Sequence, residues 1–338
     1  MIGLNDELFI IAEAGVNHNG DIETALEMIS VAKNCGADAV KFQTFEADTL
    51  ATKTAIQADY QKNNTGINES QHSMLKKLEL KKEFHDLLKE KCREISIEFM
   101  SSPFDIESAQ FLNNIGMNIF KVPSGEITNK PYLEVIADMN KPTILSTGMS
   151  TLEEISNAID VFVGLNFDLR KLSLLHATSD YPANPLETNM LCINTLRESF
   201  GLRVGYSDHT ESSKCAVIAA SMGANIFEKH FTLDKSMEGP DHKASLEPTQ
   251  LKEYISTIQD TFMILGDGVK KPGYSEAKNI EIVRKSIVAR VDIKKGDVFT
   301  RDNLTTKRPG TGISPMQFDK VIGLKAKHNF CKDDLIEL

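Results

Sequence analysis

The sequence predicts an α/β chain: a closed barrel of eight strand–helix units followed by a small β-rich module. Three observations carry that expectation. Short apolar runs alternate with amphipathic stretches, and eight such pairs can be counted before residue 268. Alternating strand and helix implies a parallel sheet, and eight repeats favour closure over an open doubly wound sheet. The glycine-rich dinucleotide loop of an open sheet is absent after the first strand, because AEAGVNHNG does not have its spacing.

In order, the strands are expected at FIIAEAG (9–15), AVKFQTF (39–45), IEFMSSPF (97–104) and NIFKVPSG (118–125). They continue with PTILSTG (142–148), LSLLHATS (172–179), RVGYSD (203–208) and IFEKHFT (226–232). Between them, stretches such as IETALEMISVAKNCG, LKKEFHDLLKEKCREI and TLEEISNAIDVFVG place apolar residues at three- and four-residue spacing. Several end at a glycine, Gly36, Gly116, Gly164, Gly201 or Gly223, as helix C-termini often do. A last helix, PTQLKEYISTIQDTFMILG, closes the barrel near Gly266.

The expected division is a barrel over 1–268, a linker over 269–284 marked by Pro272 and Gly273, and a module over 285–338. The module consists of short β-like pieces and is small for independent stability, so it is expected to dock on something. The connection from Glu46 to Leu78 is long for a strand-to-helix link and is expected to be a lid or binding loop.

Bulk composition narrows the function. The chain has 338 residues, 41% hydrophobic and 25% charged, which are ordinary globular values. A formal charge of −10 leaves no basic stripe for nucleic acid, although a few focused lysines can still hold a small anion. Five cysteines without a CxxC pair suggest reduced thiols and a cytoplasmic location. No signal peptide or membrane-spanning run is visible, so no membrane partner is expected.

Polar chemistry stands at the end of nearly every expected strand. These residues are Glu13, Lys41 with Gln43, Ser101 with Ser102, Lys121 with Ser124 and Glu126, and Ser146. His176 with Thr178, Asp208 with His209, and Glu228 with His230 complete the set. In a barrel these ends share one rim, where active sites are assembled. His209 and His230 end consecutive strands and would converge on a divalent metal or an anion; a hydrogen-bonded rim histidine is the bland alternative. Asp208 and Lys229 flank them and weigh toward chemistry. Lys41 and Lys121, with hydroxyls around them, suit a ligand carrying carboxylate and phosphate, each ammonium contact being attractive by roughly 4 kcal/mol before desolvation. Glu13 and Glu126 can move protons or simply orient the lysines.

These segments resemble the nonulosonic acid synthases, the family of N-acetylneuraminate (sialic acid) synthase. The resemblance rests on EAGVNHNG, AVKFQTF, SSPFD, FKVPSGE, ILSTGM, GYSDH, EKHFTLD with GPDHKASLEP, and TTKRPGTGIS, all in that order. The module from Lys285 resembles the antifreeze-like (SAF) domain that follows the TIM barrel in this family. The resemblance implies condensation of phosphoenolpyruvate with an open-chain acylamino-hexose, releasing phosphate by C–O cleavage. N-acetylmannosamine, giving sialic acid, is the first expectation. The alternative is a 2,4-diacetamido-2,4,6-trideoxyhexose, giving legionaminic or pseudaminic acid.

The resemblance also implies roles. His209 and His230 would hold a divalent metal, Mn2+ before Mg2+ or Co2+. Lys41, Ser146 and Ser207 would hold the phosphoenolpyruvate carboxylate, and Ser102, Lys121 and Ser124 its phosphate. Ser179, where some members have Asn, would be a further contact on that side. Glu13, Glu126 and Asp241 would transfer protons or place water, with Lys121 serving where charge develops on oxygen. Gln43, Tyr181 and Asp241 would contact the sugar. Arg308 would reach the sugar in a partner's barrel, implying a domain-swapped homodimer. Two competing readings are a Schiff-base barrel aldolase using Lys41 or Lys121, and a non-catalytic glycan-binding protein.

Overall fold

The computed structural model describes residues 7–338. Two compact units divide at Gly266/Asp267. The first contains eight strands: β1 Phe9–Gly15, β2 Ala39–Thr44, β3 Glu98–Pro103, β4 Phe120–Val122, β5 Thr143–Ser146, β6 Leu172–Ala177, β7 Arg203–Asp208 and β8 Ile226–His230. Their order is β3-β2-β1-β8-β7-β6-β5-β4, every hydrogen-bonded pair is parallel, and β3 packs beside β4 to close the circle. This is the expected (β/α)8 barrel.

Helices follow from capping and burial. α1 (Ile22–Cys35) starts where the Asp21 carboxylate accepts the Thr24 N–H at 2.8 Å and stops at Gly36, whose φ of 95° suits a residue without a side chain. The link after β2 holds three short helices, α2 (Ala47–Leu50), α3 (Asp59–Thr65) and α4 (Gln71–Leu78). Around the barrel follow α5 (His85–Glu94), α6 (Ile106–Asn114), α7 (Lys130–Asp138), α8 (Leu152–Gly164), α9 (Cys192–Phe200), α10 (Lys214–Ser221) and α11 (Pro248–Leu265). Apolar strand residues such as Ile10, Val40, Phe99 and Phe227 pack outward in the large core shared with these helices. Among the described residues no helix is long and apolar enough to cross a membrane.

Inside the barrel, Ile11, Ala39, Met100, Ile119, Ile144, Leu175 and Ile226 form a separate, fully buried apolar plug. Strand alternation puts every second residue on this inner face. At β7 the equivalent position is Gly205, where an added Cβ would lie 2.6 Å from both Ile226 Cβ and Leu175 Cδ2. Glycine there lets β7 close up against its neighbours.

The structure departs from the sequence expectation in two places. β4 is only three residues long, because Pro123 leads into a single 3₁₀ turn at Ser124–Glu126. The stretch 269–284, expected to be a linker, contains helix α12 (Tyr274–Val283) within the second unit. That unit also holds the antiparallel pair β9 (Ser286–Ala289) and β10 (Leu304–Lys307), packed with Ile293, Phe299, Phe330 and Ile336 in a small core of its own.

Candidate active site

The site grows from the apolar plug by one step of strand alternation. Two residues beyond Ile11, Ala39, Met100, Ile119, Ile144, Gly205 and Ile226 stand Glu13, Lys41, Ser102, Lys121, Ser146, Ser207 and Glu228. All seven are buried. A further step on β7 and β8 reaches His209 and His230, and on β2 Gln43.

Their contacts form one network. Lys41 Nζ lies 2.6 Å from Glu13 Oε2 and 3.5 Å from Glu228 Oε2, and donates to Ser102 Oγ at 3.0 Å. Lys121 Nζ donates to Glu228 Oε1 at 3.2 Å, an oxygen that also accepts the Ser207 hydroxyl at 2.8 Å. Gln43 donates to Glu13 Oε1 at 3.3 Å. The His209 and His230 rings lie 5.8 Å apart, centroid to centroid, and the Tyr181 ring sits 4.1 Å from the first and 5.5 Å from the second.

Burial and charge set the protonation states. Burial pushes the Glu13 carboxyl up to about 7, against the pull of Lys41. Burial acts on Glu228 in the same sense, but Lys121 and Lys41 outweigh it and hold that carboxyl far below the usual range. Burial lowers Lys41, yet Glu13 and Glu228 prevail and raise it; for Lys121 burial wins and the ammonium is lowered. Two lysines thus face one carboxyl held ionised, Glu228, and one that burial inclines toward its neutral form, Glu13, a balance that favours an anionic ligand. Burial also raises Asp241 to about 6 and raises Glu126.

Above this ring a cavity of about 500 Å³ opens, whose polar lining includes Ser124, Glu126, Ser179, Tyr181 and Asp241. Ser124 Oγ accepts the Gly148 N–H at 3.0 Å, and a Cβ on Gly148 would collide with both Ser124 Oγ and Ser179 Oγ. The bare glycine lets the two hydroxyls converge.

Family comparisons agree with this architecture. A family model described as the NeuB family matches residues 28–270, and one described as the SAF domain matches 284–337. The chain belongs to the NeuB family. It is an enzyme of the nonulosonic acid synthase type, a transferase that forms a carbon–carbon bond. It is 50% identical to the N,N'-diacetyllegionaminic acid synthase of Campylobacter jejuni, over 97% of this chain and 98% of that one. It is 48% identical to the enzyme of the same name from Legionella pneumophila, over 95% and 91%. Among solved structures, the N-acetylneuraminic acid (sialic acid) synthetase of Leptospira borgpetersenii superposes with a TM-score of 0.71 at 34% identity, over 81% of this chain and 90% of that one.

In this NeuB-family chain one cavity gathers Glu13, Lys41, Gln43, Ser102, Lys121, Ser124, Glu126, Ser146, Ser179, Tyr181, Ser207, His209, His230 and Asp241. Arg308 belongs to the second unit, where it is exposed and its Nε donates to Val283 O at 2.9 Å. Ser101, His176, Asp208 and Lys229, read at or beside the rim, face the other way, and the Ser101 hydroxyl bonds that of Thr44 at 2.7 Å. Asp208 accepts from Thr210 N at 2.8 Å and Tyr254 OH at 3.1 Å and pairs with Lys229 at 3.7 Å. His176 is bonded to Thr188 O at 2.7 Å and stacks on Tyr206. These are structural contacts on the outer face of the strands, since adjacent residues on a strand point to opposite sides. Glu228, by contrast, had no role assigned from sequence beyond its place at the rim. The signal was its position two residues before His230, on the same strand face.

The histidines suit a metal on their own chemistry. His209 Nδ1 faces the Thr178 carbonyl at 2.6 Å, so that nitrogen carries the proton and Nε2 keeps its lone pair. His230 Nδ1 is buried with no hydrogen-bond partner. Burial lowers His209 to about 4 and His230 well below its ordinary value, leaving both imidazoles neutral. Among the described residues no group of three or more His, Cys, Asp or Glu is arranged to hold an ion, so the remaining positions would fall to water and substrate oxygens.

Proposed function

We propose that this site condenses phosphoenolpyruvate with an open-chain 2,4-diacetamido-2,4,6-trideoxyhexose, giving a legionaminic-acid-type nine-carbon keto acid and inorganic phosphate. The observation that carries the reading is the pair of buried lysines ringed by hydroxyls directly beneath two neutral histidines. From sequence alone N-acetylmannosamine stands first as acceptor. The relatives move that choice, because the 50% and 48% matches carry the legionaminic name and the sialic acid synthetase stands at 34%.

In this reading Lys41, Ser146 and Ser207 receive the carboxylate of phosphoenolpyruvate. Lys121, Ser102, Ser124 and Ser179 receive its phosphate. Gln43, Tyr181 and Asp241 orient the sugar so that its aldehyde carbon faces the enol methylene. The methylene carbon bonds to the aldehyde carbon, and the aldehyde oxygen takes a proton. Water then adds to the carbon bearing phosphate, and the C–O bond to phosphate breaks. Glu13, Glu126 and Asp241 are the groups available to place that water and move the protons. His209 and His230 would hold a divalent cation, Mn2+ in preference to Mg2+ or Co2+, which supplies Lewis acidity toward the aldehyde oxygen.

Arg308 contacts the sugar from a second copy of the chain in a domain-swapped homodimer, and its exposed side chain supports that role. The enzyme works in the cytoplasm, in keeping with five free cysteines. A Schiff-base aldolase fits less well. Such a lysine must shed its proton into apolar surroundings, whereas both ammonium groups here touch carboxylates.

Phosphate release from phosphoenolpyruvate, with Mn2+ and each acceptor separately, tests the proposal. Release with the diacetamido sugar well above that with N-acetylmannosamine is expected. The reverse preference would restore the sialic acid reading.

A further inference from the structure

The cavity is polar at its floor, and beyond it the wall is mixed: Tyr60, Gln61 and Gln71 of the insertion after β2 line it together with a patch of apolar side chains. Phe45 and Phe104 lie just beyond the ends of β2 and β3, and their rings meet edge to face at 6.1 Å. The insertion after β2 adds Leu50 from α2 and Met74, Leu75 and Leu78 from α4, and all six side chains line the cavity. Phe45, Met74 and Leu78 are buried in a small apolar cluster, while Leu50, Leu75 and Phe104 pack on it and stay partly open. Gln57 backs Met74 from behind, its amide 3.3 Å from the sulfur.

We infer that this wall selects the acceptor by its far end, and that it is built for a sugar whose terminal carbon is a methyl group rather than a hydroxymethyl. The inference rests on the function proposed above and assigns the residues that read that end. The reacting carbonyl must lie near the floor, where the lysines and histidines stand. The remainder of an extended sugar then runs outward, past Gln43, Tyr181 and Asp241 on the polar side and the Phe45–Leu75 wall on the other. A hydroxyl set against that wall gives up its hydrogen bonds to water and finds no partner among these six side chains. A methyl group there buries apolar surface on both sides. Differences of this size in an apolar pocket discriminate by about 10- to 200-fold.

The test uses the full chain with Mn2+ and two acceptors that differ only at the terminal carbon: a 2,4-diacetamido-2,4,6-trideoxyhexose and its 6-hydroxy counterpart. The wild-type enzyme is expected to prefer the deoxy sugar at least about tenfold in kcat/KM. Leu75→Asn, and independently Leu50→Ser, should cut that ratio severalfold through the acceptor KM, with the KM for phosphoenolpyruvate unchanged. Both sites are partly open, so a folding failure of one variant leaves the other to decide. Equal use of both acceptors by the wild type, or a ratio that neither variant changes, overturns the inference alone. Phosphate release with neither acceptor overturns the proposed function with it.

Discussion

Glu228 joins both active-site lysines: Oε1 stands 3.2 Å from the Lys121 ammonium and Oε2 stands 3.5 Å from that of Lys41. One carboxylate on β8 thus fixes the spacing of two cations carried by β4 and β2. Breaking such a buried pair leaves an uncompensated charge and costs about 3–5 kcal/mol. Glu228→Gln, which leaves the Lys121 ammonium without its carboxylate, should destabilise the fold by about that much; Lys121→Met, which leaves Glu228 its contact with Lys41, should cost less, and the double variant should cost clearly less than the sum. Chemical denaturation of the four proteins measures the coupling. Strict additivity would mean that the two side chains do not support each other.

Gly148→Ala tests the anion cradle. The new methyl would displace Ser124 and Ser179, whose hydroxyls occupy that space. The KM for phosphoenolpyruvate should rise about tenfold or more, with little change in the acceptor KM. Steady-state kinetics with each substrate varied separates the two, and an effect on the acceptor alone would move the phosphate site elsewhere.

Asp241 gives a pH signature in the unliganded protein. Burial raises its folded value to about 6, above the ordinary 3.8. A carboxyl shifted upward favours the folded state below the unfolded value, and that contribution is lost as pH rises through about 6. Above that point the buried carboxylate costs up to about 3 kcal/mol. Asp241→Asn should therefore melt higher than wild type at pH 8, with the gap closing toward pH 4. A constant gap across that range would show that Asp241 does not titrate as described.

Arg308→Ala should raise the acceptor KM far more than the KM for phosphoenolpyruvate. Equal effects on both, measured at protein concentrations that keep the assembly constant, would remove the proposed sugar contact.

Much of this organisation was legible in the sequence because barrel strands are short apolar runs set between helices of regular period. FIIAEAG and RVGYSD gave β1 and β7 at their observed ends. α2–α4 were not legible, since helices of four to eight residues are too short to show a periodic face. α12 escaped for a different reason: it buries no residue, so it has no apolar stripe to detect. At the site, chemistry-bearing residue types at strand ends were readable, but the direction each faces was not. Asp208 and His209 are adjacent in sequence and point to opposite sides of β7, and only alternation counted from Gly205 through Ser207 separates them. Pairings such as Lys121 with Glu228 span 107 residues and depend on barrel closure.

The most direct measurement follows the oxygen that bridges carbon and phosphorus in phosphoenolpyruvate. With that oxygen labelled as 18O and the diacetamido sugar as acceptor, C–O cleavage gives one labelled inorganic phosphate for each keto acid formed. Label retained in the keto acid, or product formed without phosphate, would contradict it.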